Sequence, residues 1–117
     1  MTLRLADYLG HIREAAVDAC GFVEGLSLQD FRSDKRTQQA VIMSLVIIGE
    51  ASTKIMEAHS TFAIAHNEIP WRSMRGMRNR IAHGYFEIDL DTVWETVRTA
   101  LPELLTQLEV IGRPPEG

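Results

Sequence analysis

One stretch constrains the fold of this chain more than any other. Residues 41–48 place Val41, Ile42, Met43, Leu45, Val46, Ile47 and Ile48 around a single interruption, Ser44. On a helix, apolar side chains in that run point in every direction, so no whole face is left for water. Such a helix is central in a bundle, or a second subunit buries what its own chain leaves open. The apolar run, residues 40–48, stops at Gly49-Glu50 and is too short to span a bilayer. A protein interior is therefore its expected surrounding.

The rest of the chain supports helices around it. Leu5, Leu9, Ile12, Ala16 and Ala19 recur at steps of four and three, making one stripe that ends at Gly21. Ser27 is placed to cap a short turn over residues 28–31, and Ser33 or Asp34 to cap the second long helix, which runs to about His59. Residues 59–68 show no period and read as a loop. Pro70 suits a first helical position, opening a third long helix that ends near Gly84. Asp89 caps the last one. There Leu90, Trp94, Val97, Leu101, Leu104, Leu108 and Ile111 form a narrow seam of the coiled-coil kind. Pro102 lies inside that seam and is expected to kink or break it. No strand-like alternation, repeat or low-complexity run is present. The expected fold is all-α: an antiparallel four-helix bundle with a short extra helical turn. One domain over residues 1–111 and a frayed tail over residues 112–117 complete the expectation.

A chain of 117 residues is long enough for one domain with its own core. The net charge of −4 does not by itself suggest nucleic acid. The local balance differs: between Ile69 and Phe86 lie Arg72, Arg75, Arg78 and Arg80, and no acid. One basic stretch on an acidic protein can steer an anion to one place. The single Cys20 cannot form an internal disulfide, which points to a reducing cytoplasm. Arg4 and Asp7 interrupt any apolar core at the start, so no signal peptide is expected. His11, His59 and His66 lack metal-ligand spacing, and Cys20 does not complete a zinc set, so neither metal nor cofactor is expected. There is no glycine-rich phosphate loop, no Ser-His-Asp pattern and no pair of catalytic carboxylates.

Chemistry concentrates in Met77-Arg78-Asn79-Arg80-Ile81-Ala82-His83-Gly84-Tyr85-Phe86-Glu87-Ile88-Asp89. Arg78 offers a permanent charge and a planar fork that fits phosphate. His83 can take or give a proton near neutral pH. Tyr85 carries a hydroxyl that can be modified. On the third helix Trp71, Met74, Met77 and Ile81 share one side, and Arg78 falls inside their arc. Its stem covers apolar surface while the head snorkels out, or it is held in a cleft or at a subunit interface to meet an anion. His83 stands about 140° further round the helix, so the two side chains do not converge on one straight helix. Either Gly84 ends the helix in the left-handed conformation and His83 bends back, or two copies of the motif meet across a dimer. Asn79 can bond a phosphate or ribose, or fix the arginine. Arg80 is solvated and available to an RNA backbone. Arg72 and Arg75 share the polar arc with Asn79 and His83, where an ordinary exposed face is an equal reading. The hydroxyl of Tyr85 is expected to open toward the same cleft as His83. Glu50 interrupts the apolar second helix, and the favoured reading pairs it with Lys54 at i,i+4 rather than with Arg78.

Four blocks, in order, resemble a known family: Ile47-Ile48-Gly49-Glu50-Ala51, Ile69-Pro70-Trp71, Gly76-Met77-Arg78-Asn79-Arg80-Ile81-Ala82-His83-Gly84-Tyr85 and Asp89-Leu90-Asp91-Thr92-Val93-Trp94-Glu95. They are similar to the HepT-like toxins of the HEPN superfamily, over roughly residues 3–111. The resemblance implies an all-helical bundle that dimerises and places both motifs in one cleft. It implies a metal-independent RNase with Arg78 and His83 catalytic and Asn79 supporting. It also implies a partner, a MntA-like nucleotidyltransferase antitoxin that transfers AMP to Tyr85. The chemistry is coherent without the family, since RNA carries its own nucleophile in the 2′-hydroxyl, and histidine and arginine can serve it. The alternative is a non-catalytic helical module that binds a nucleotide or docks a nucleotidyltransferase; the intact Arg-His-Tyr set favours the nuclease.

Overall fold

The stripe on the first helix is buried as its spacing predicts. The computed structural model describes residues 3–112. In it α1 (Leu5–Phe22) turns Leu5, Leu9, Ile12, Ala16 and Ala19 inward, with Tyr8 and Ala15 beside them. The small side chains at 15, 16 and 19 let α1 lie close along α3 (Lys35–Ala58), and the two pack over their length. Between them α2 (Leu28–Arg32) is one short helix, begun by a capping box in which Ser27 and Asp30 exchange hydrogen bonds with each other's backbone. Replacing such a cap by alanine costs about 1 kcal/mol. Asp34 caps α3 through the backbone N–H of Thr37, 3.1 Å, which settles the choice between Ser33 and Asp34. The Thr37 hydroxyl and backbone N–H hold the Asp34 carboxyl below the usual carboxylate range.

α3 is the core helix. Val41, Ile42, Leu45, Ile48, Ala51 and Ile55 are buried, and the hydroxyls of Ser44 and Ser52 donate to carbonyls one turn back. By length and composition α3 could cross a membrane, yet half of that stretch is buried inside the protein. Its surroundings are not apolar on every side: Met43 and Ile47 are exposed.

Residues 59–68 were expected as a loop, and here the structure differs. α4 (Ser60–Ala65) is a six-residue helix. The indole N–H of Trp71 is shared between the carbonyls of Ala63 and His66, at 3.2 and 3.1 Å, and Ala63 is buried. A tertiary contact stabilises a segment too short to show a period. Pro70 stands one position before α5 (Trp71–His83), rather than in its first turn. α5 packs on the flank of α3, and a 3-10 turn, Tyr85–Glu87, follows it.

The last seam holds, with a change at its middle. α6 (Leu90–Glu95), a π-helical turn (Thr96–Ala100) and α7 (Leu101–Ile111) form one continuous helical path that buries Val93, Val97, Leu101 and Leu104. Pro102 was expected to kink or break this helix. It sits instead in the first turn of α7, just after the π turn, and the helical path continues across it; the Cys20 thiol approaches the Val97 carbonyl there, at 3.8 Å. α7 and the π turn pack on α1. Arg32 ties α2 to α6 by a two-pronged pair with Asp91, 2.9 and 2.6 Å, which holds the Asp91 carboxyl below and the Arg32 guanidinium above their ordinary values. Cys20 is half-buried, and burial pushes its thiol up against the opposing pull of Arg98. Among the described residues no strand occurs, so the all-helical expectation holds. Of the expected tail, residues 113–117 lie outside the described residues.

Candidate functional site

α5 meets α3 at Gly49, and that contact places Arg78. A Cβ added at Gly49 would collide with the Cβ of Arg78 and stand 2.8 Å from the carbonyl oxygen of Met74. Only glycine allows this approach. Arg78 therefore leaves α5 directly over α3, and its guanidinium runs along that helix. One amine, Nη1, pairs with Glu50 Oε1 at 3.0 Å; the other, Nη2, donates to Thr53 Oγ1 at 3.3 Å. The Thr53 hydroxyl spends its own proton on the Gly49 carbonyl, 2.9 Å, leaving a lone pair for the arginine. The Arg78 side chain is 25% exposed, and its Nε–H is buried with no partner.

The head of Arg78 does not snorkel freely into solvent: it is bonded to α3 through Glu50 and Thr53. The favoured pairing of Glu50 with Lys54 is also corrected. Glu50 pairs with Arg78, because the close helix contact at Gly49 brings the guanidinium to it. Thr53 is a partner of Arg78 that sequence reasoning missed, and the Glu50–Arg78 pairing was the less favoured of its two readings. The available signal was a carboxylate and a hydroxyl, one turn apart, interrupting an apolar helix beside a glycine.

His83 lies exposed on the last turn of α5. It lines a groove of about 500 Å³ with Arg80, Ile81, Asp89 and Thr92, between the end of α5 and the start of α6. Of the two routes offered for His83, the left-handed Gly84 is not taken: its φ is −147° and the chain passes into the 3-10 turn. The turn supplies the reversal, so no left-handed residue is needed. No hydrogen bond joins Arg78 to His83, and Arg78 does not line the His83 groove.

Tyr85 is 45% exposed, with its ring edge-on to Phe86, centroids 5.8 Å apart. Its hydroxyl was expected to share the cleft of His83. It borders a neighbouring groove instead, one that touches the His83 groove only at Ile88. Arg72 and Arg75 line a third groove, about 670 Å³, between α4 and the start of α5, together with Ile64, Asn67 and Trp71. Asn79 and Arg80 are exposed on α5. Among the described residues no acidic partner pairs with Arg72, Arg75 or Arg80. The candidate site is therefore cationic along α5, with Arg78 paired to Glu50 and the other three arginines without an acidic partner among the described residues.

Comparison with known proteins gives this arrangement a context. The profile of the Ribonuclease HepT-like family matches residues 12–111. A relative from Thermococcus cleftensis, named "Probable ribonuclease HepT", is 43% identical over 107 residues, covering 92% of this chain and 94% of its own. A second, "Putative RNase TTE0752" of Caldanaerobacter subterraneus subsp. tengcongensis, is 35% identical over 104 residues, covering 89% of this chain and 90% of its own. No solved structure matches the chain. The matched span takes in the α3–α5 contact, the arginine-rich helix and the turn after it, and the chain belongs to the HepT-like family.

Proposed function

We propose that this protein is a metal-independent RNA endonuclease, the toxin of a type VII toxin–antitoxin system, acting in the cytoplasm as a two-fold homodimer. Each subunit is read as one domain built on an antiparallel four-helix bundle. The observation that carries the reading is the state of Arg78. It is oriented by Glu50 and Thr53, its side chain is 25% exposed, and its Nε–H is buried without a partner. A purely structural arginine uses its buried donors. A fork held by two partners and still a quarter exposed can offer the remaining N–H donors of its Nη groups to an anion, and above all to a phosphate. The relatives' names as RNases point to RNA.

Within one chain Arg78 and His83 face different neighbours, which favours a composite site. Met43, Ile47 and Glu50 fall on one face of α3 at helical spacing, and Met43 and Ile47 are exposed apolar residues there. A second copy covering that strip brings two motifs to one cleft. RNA then supplies the nucleophile. One His83 removes the 2′-hydroxyl proton, the new O2′–P bond forms, and the P–O5′ bond breaks. A second His83, from the other copy, protonates the leaving 5′-oxygen. Arg78 stabilises charge developing on the phosphorus oxygens. Asn79, Arg72, Arg75 and Arg80 hold the RNA on either side. The products are a 2′,3′-cyclic phosphate and a 5′-hydroxyl, and the protons balance without a metal.

Tyr85 is the off switch in this reading. A MntA-like nucleotidyltransferase antitoxin, with ATP and Mg²⁺, transfers AMP to it: the phenolic oxygen attacks the α-phosphorus, pyrophosphate leaves, and the phenol gives up its proton. The tyrosine is exposed in a turn two residues after His83, so a transferase can reach it. The added phosphodiester and adenosine oppose RNA by charge and by bulk. Expression of the chain should arrest growth, and the transferase should relieve it. With purified partner, ATP and Mg²⁺, AMP mass should appear on the peptide holding Tyr85. Tyr85→Phe should stay toxic in the presence of the partner. Full neutralisation of Tyr85→Phe, or AMP on another residue, would show that the switch lies elsewhere.

A further inference from the structure

The turn after His83 carries a side chain for which neither the fold nor the cleavage chemistry has a use. Phe86 is 99% exposed. Single exposed apolar residues are common on protein surfaces. This one is set in a 3-10 turn with its ring edge-on to Tyr85 at an interplanar angle of 88°, and it is open to solvent. It borders a groove of about 360 Å³ that Lys35, Gln39, Ile42, Tyr85 and Leu90 also line. That volume lies within the usual range for small-ligand sites, roughly 300–1,000 Å³.

The walls of the groove are braced. Arg32 is engaged with Asp91, and the Gln38 amide donates to the carbonyls of Phe31 and Arg32 at 2.8 and 3.0 Å. Lys35 and Gln39 are exposed and carry no side-chain hydrogen bond, and Lys35 has no acidic partner among the described residues. An aromatic face, a free ammonium and a free amide meet in one groove. An apolar helix would leave that ammonium and amide buried and unpaired. An unpaired nucleotide uses all three: its base stacks on the ring, its phosphate meets the lysine, and its base edge meets the amide. Phe86 is three residues from His83, at most about 11 Å of backbone, so the nucleotide adjoins the cleaved bond.

We infer that the groove between Phe86 and Lys35 is a subsite for one unpaired nucleotide, and that it restricts the substrate to single-stranded RNA. The inference rests on the nuclease reading above. In a duplex every base face is already stacked, so Phe86 has nothing to take.

The test uses the full chain and a fully 2′-O-methylated single strand, which cannot be cleaved, with binding read by fluorescence anisotropy. Phe86→Ala and Phe86→Leu should bind roughly five- to a hundredfold more weakly, the usual range for a lost stacking contact. Phe86→Trp should restore binding. Lys35→Gln should weaken it and lower the slope of log affinity against log salt by about 0.7, one phosphate on a single strand. A matching duplex should bind all variants alike. The ring is solvent-exposed, so the variants should keep the wild-type helical signal and the wild-type mass by light scattering. Wild-type affinity in Phe86→Leu overturns the subsite, as does a halved mass in Phe86→Ala, which would make the ring a contact between copies. Cleavage of the unmodified strand is measured on the same preparations. A wild-type protein that binds the strand through Phe86 but never cuts it overturns the nuclease reading and leaves the subsite standing.

Discussion

Glu50 does two opposed things to Arg78. Its carboxylate fixes the guanidinium at 3.0 Å, and it cancels part of the charge that an RNA phosphate seeks. Fixing matters for the reaction, where a misplaced group loses rate; cancelling matters for binding. Glu50→Gln should therefore lower kcat about tenfold while KM stays near or below the wild-type value. Glu50 is 51% exposed, so the melting temperature should hardly move. An unchanged kcat would remove Glu50 from the positioning of Arg78. This partnership was hard to read from the chain. Lys54 is the neighbour that helix spacing offers, and the true partner arrives from another helix. The arginine itself was legible, because a charge inside the apolar arc of Trp71, Met74, Met77 and Ile81 needs a partner.

Between α3 and α5 the decisive position is Gly49, where a methyl group has nowhere to go. Gly49→Ala should cost roughly 1–3 kcal/mol by overpacking and pull Arg78 out of register with Glu50. Gly76, inside α5, is the contrast: an added Cβ there meets only the flexible end of Arg80, at 3.6 Å. Gly76→Ala should be neutral or stabilise by about 0.5–1 kcal/mol. Thermal unfolding of the two variants decides; equal melting temperatures would mean that the helices separate without cost. Long elements were the legible ones. The α1 stripe, the capping residues Ser27 and Asp89, and the seam from Leu90 to Ile111 follow from periodicity alone. α4 was missed because six residues hold less than two turns, and its support comes from Trp71. The π turn before Pro102 was missed because a proline signals a disrupted hydrogen bond without saying how the helix absorbs it.

On the scale of the whole molecule, the proposed reaction needs Arg78 and His83 to act together although they face different neighbours within one chain. A homodimer through the Met43–Ile47 strip answers that need, and light scattering should give twice the 13.2 kDa chain mass. A monomer at micromolar concentration contradicts the composite site. If the site is shared, pairing a wild-type subunit with a His83→Ala subunit should lower the activity of the mixed dimer well below half, since its cleft keeps only one of the two histidines that the proton transfers use. The most direct measurement is cleavage of a single-stranded RNA in excess EDTA, with mass spectrometry of the new ends. The wild-type protein should leave 2′,3′-cyclic phosphate and 5′-hydroxyl ends. Arg78→Ala and His83→Ala, each folded by circular dichroism, should leave the strand intact. Cleavage by folded His83→Ala, or wild-type cleavage that stops in EDTA, would contradict the assignment.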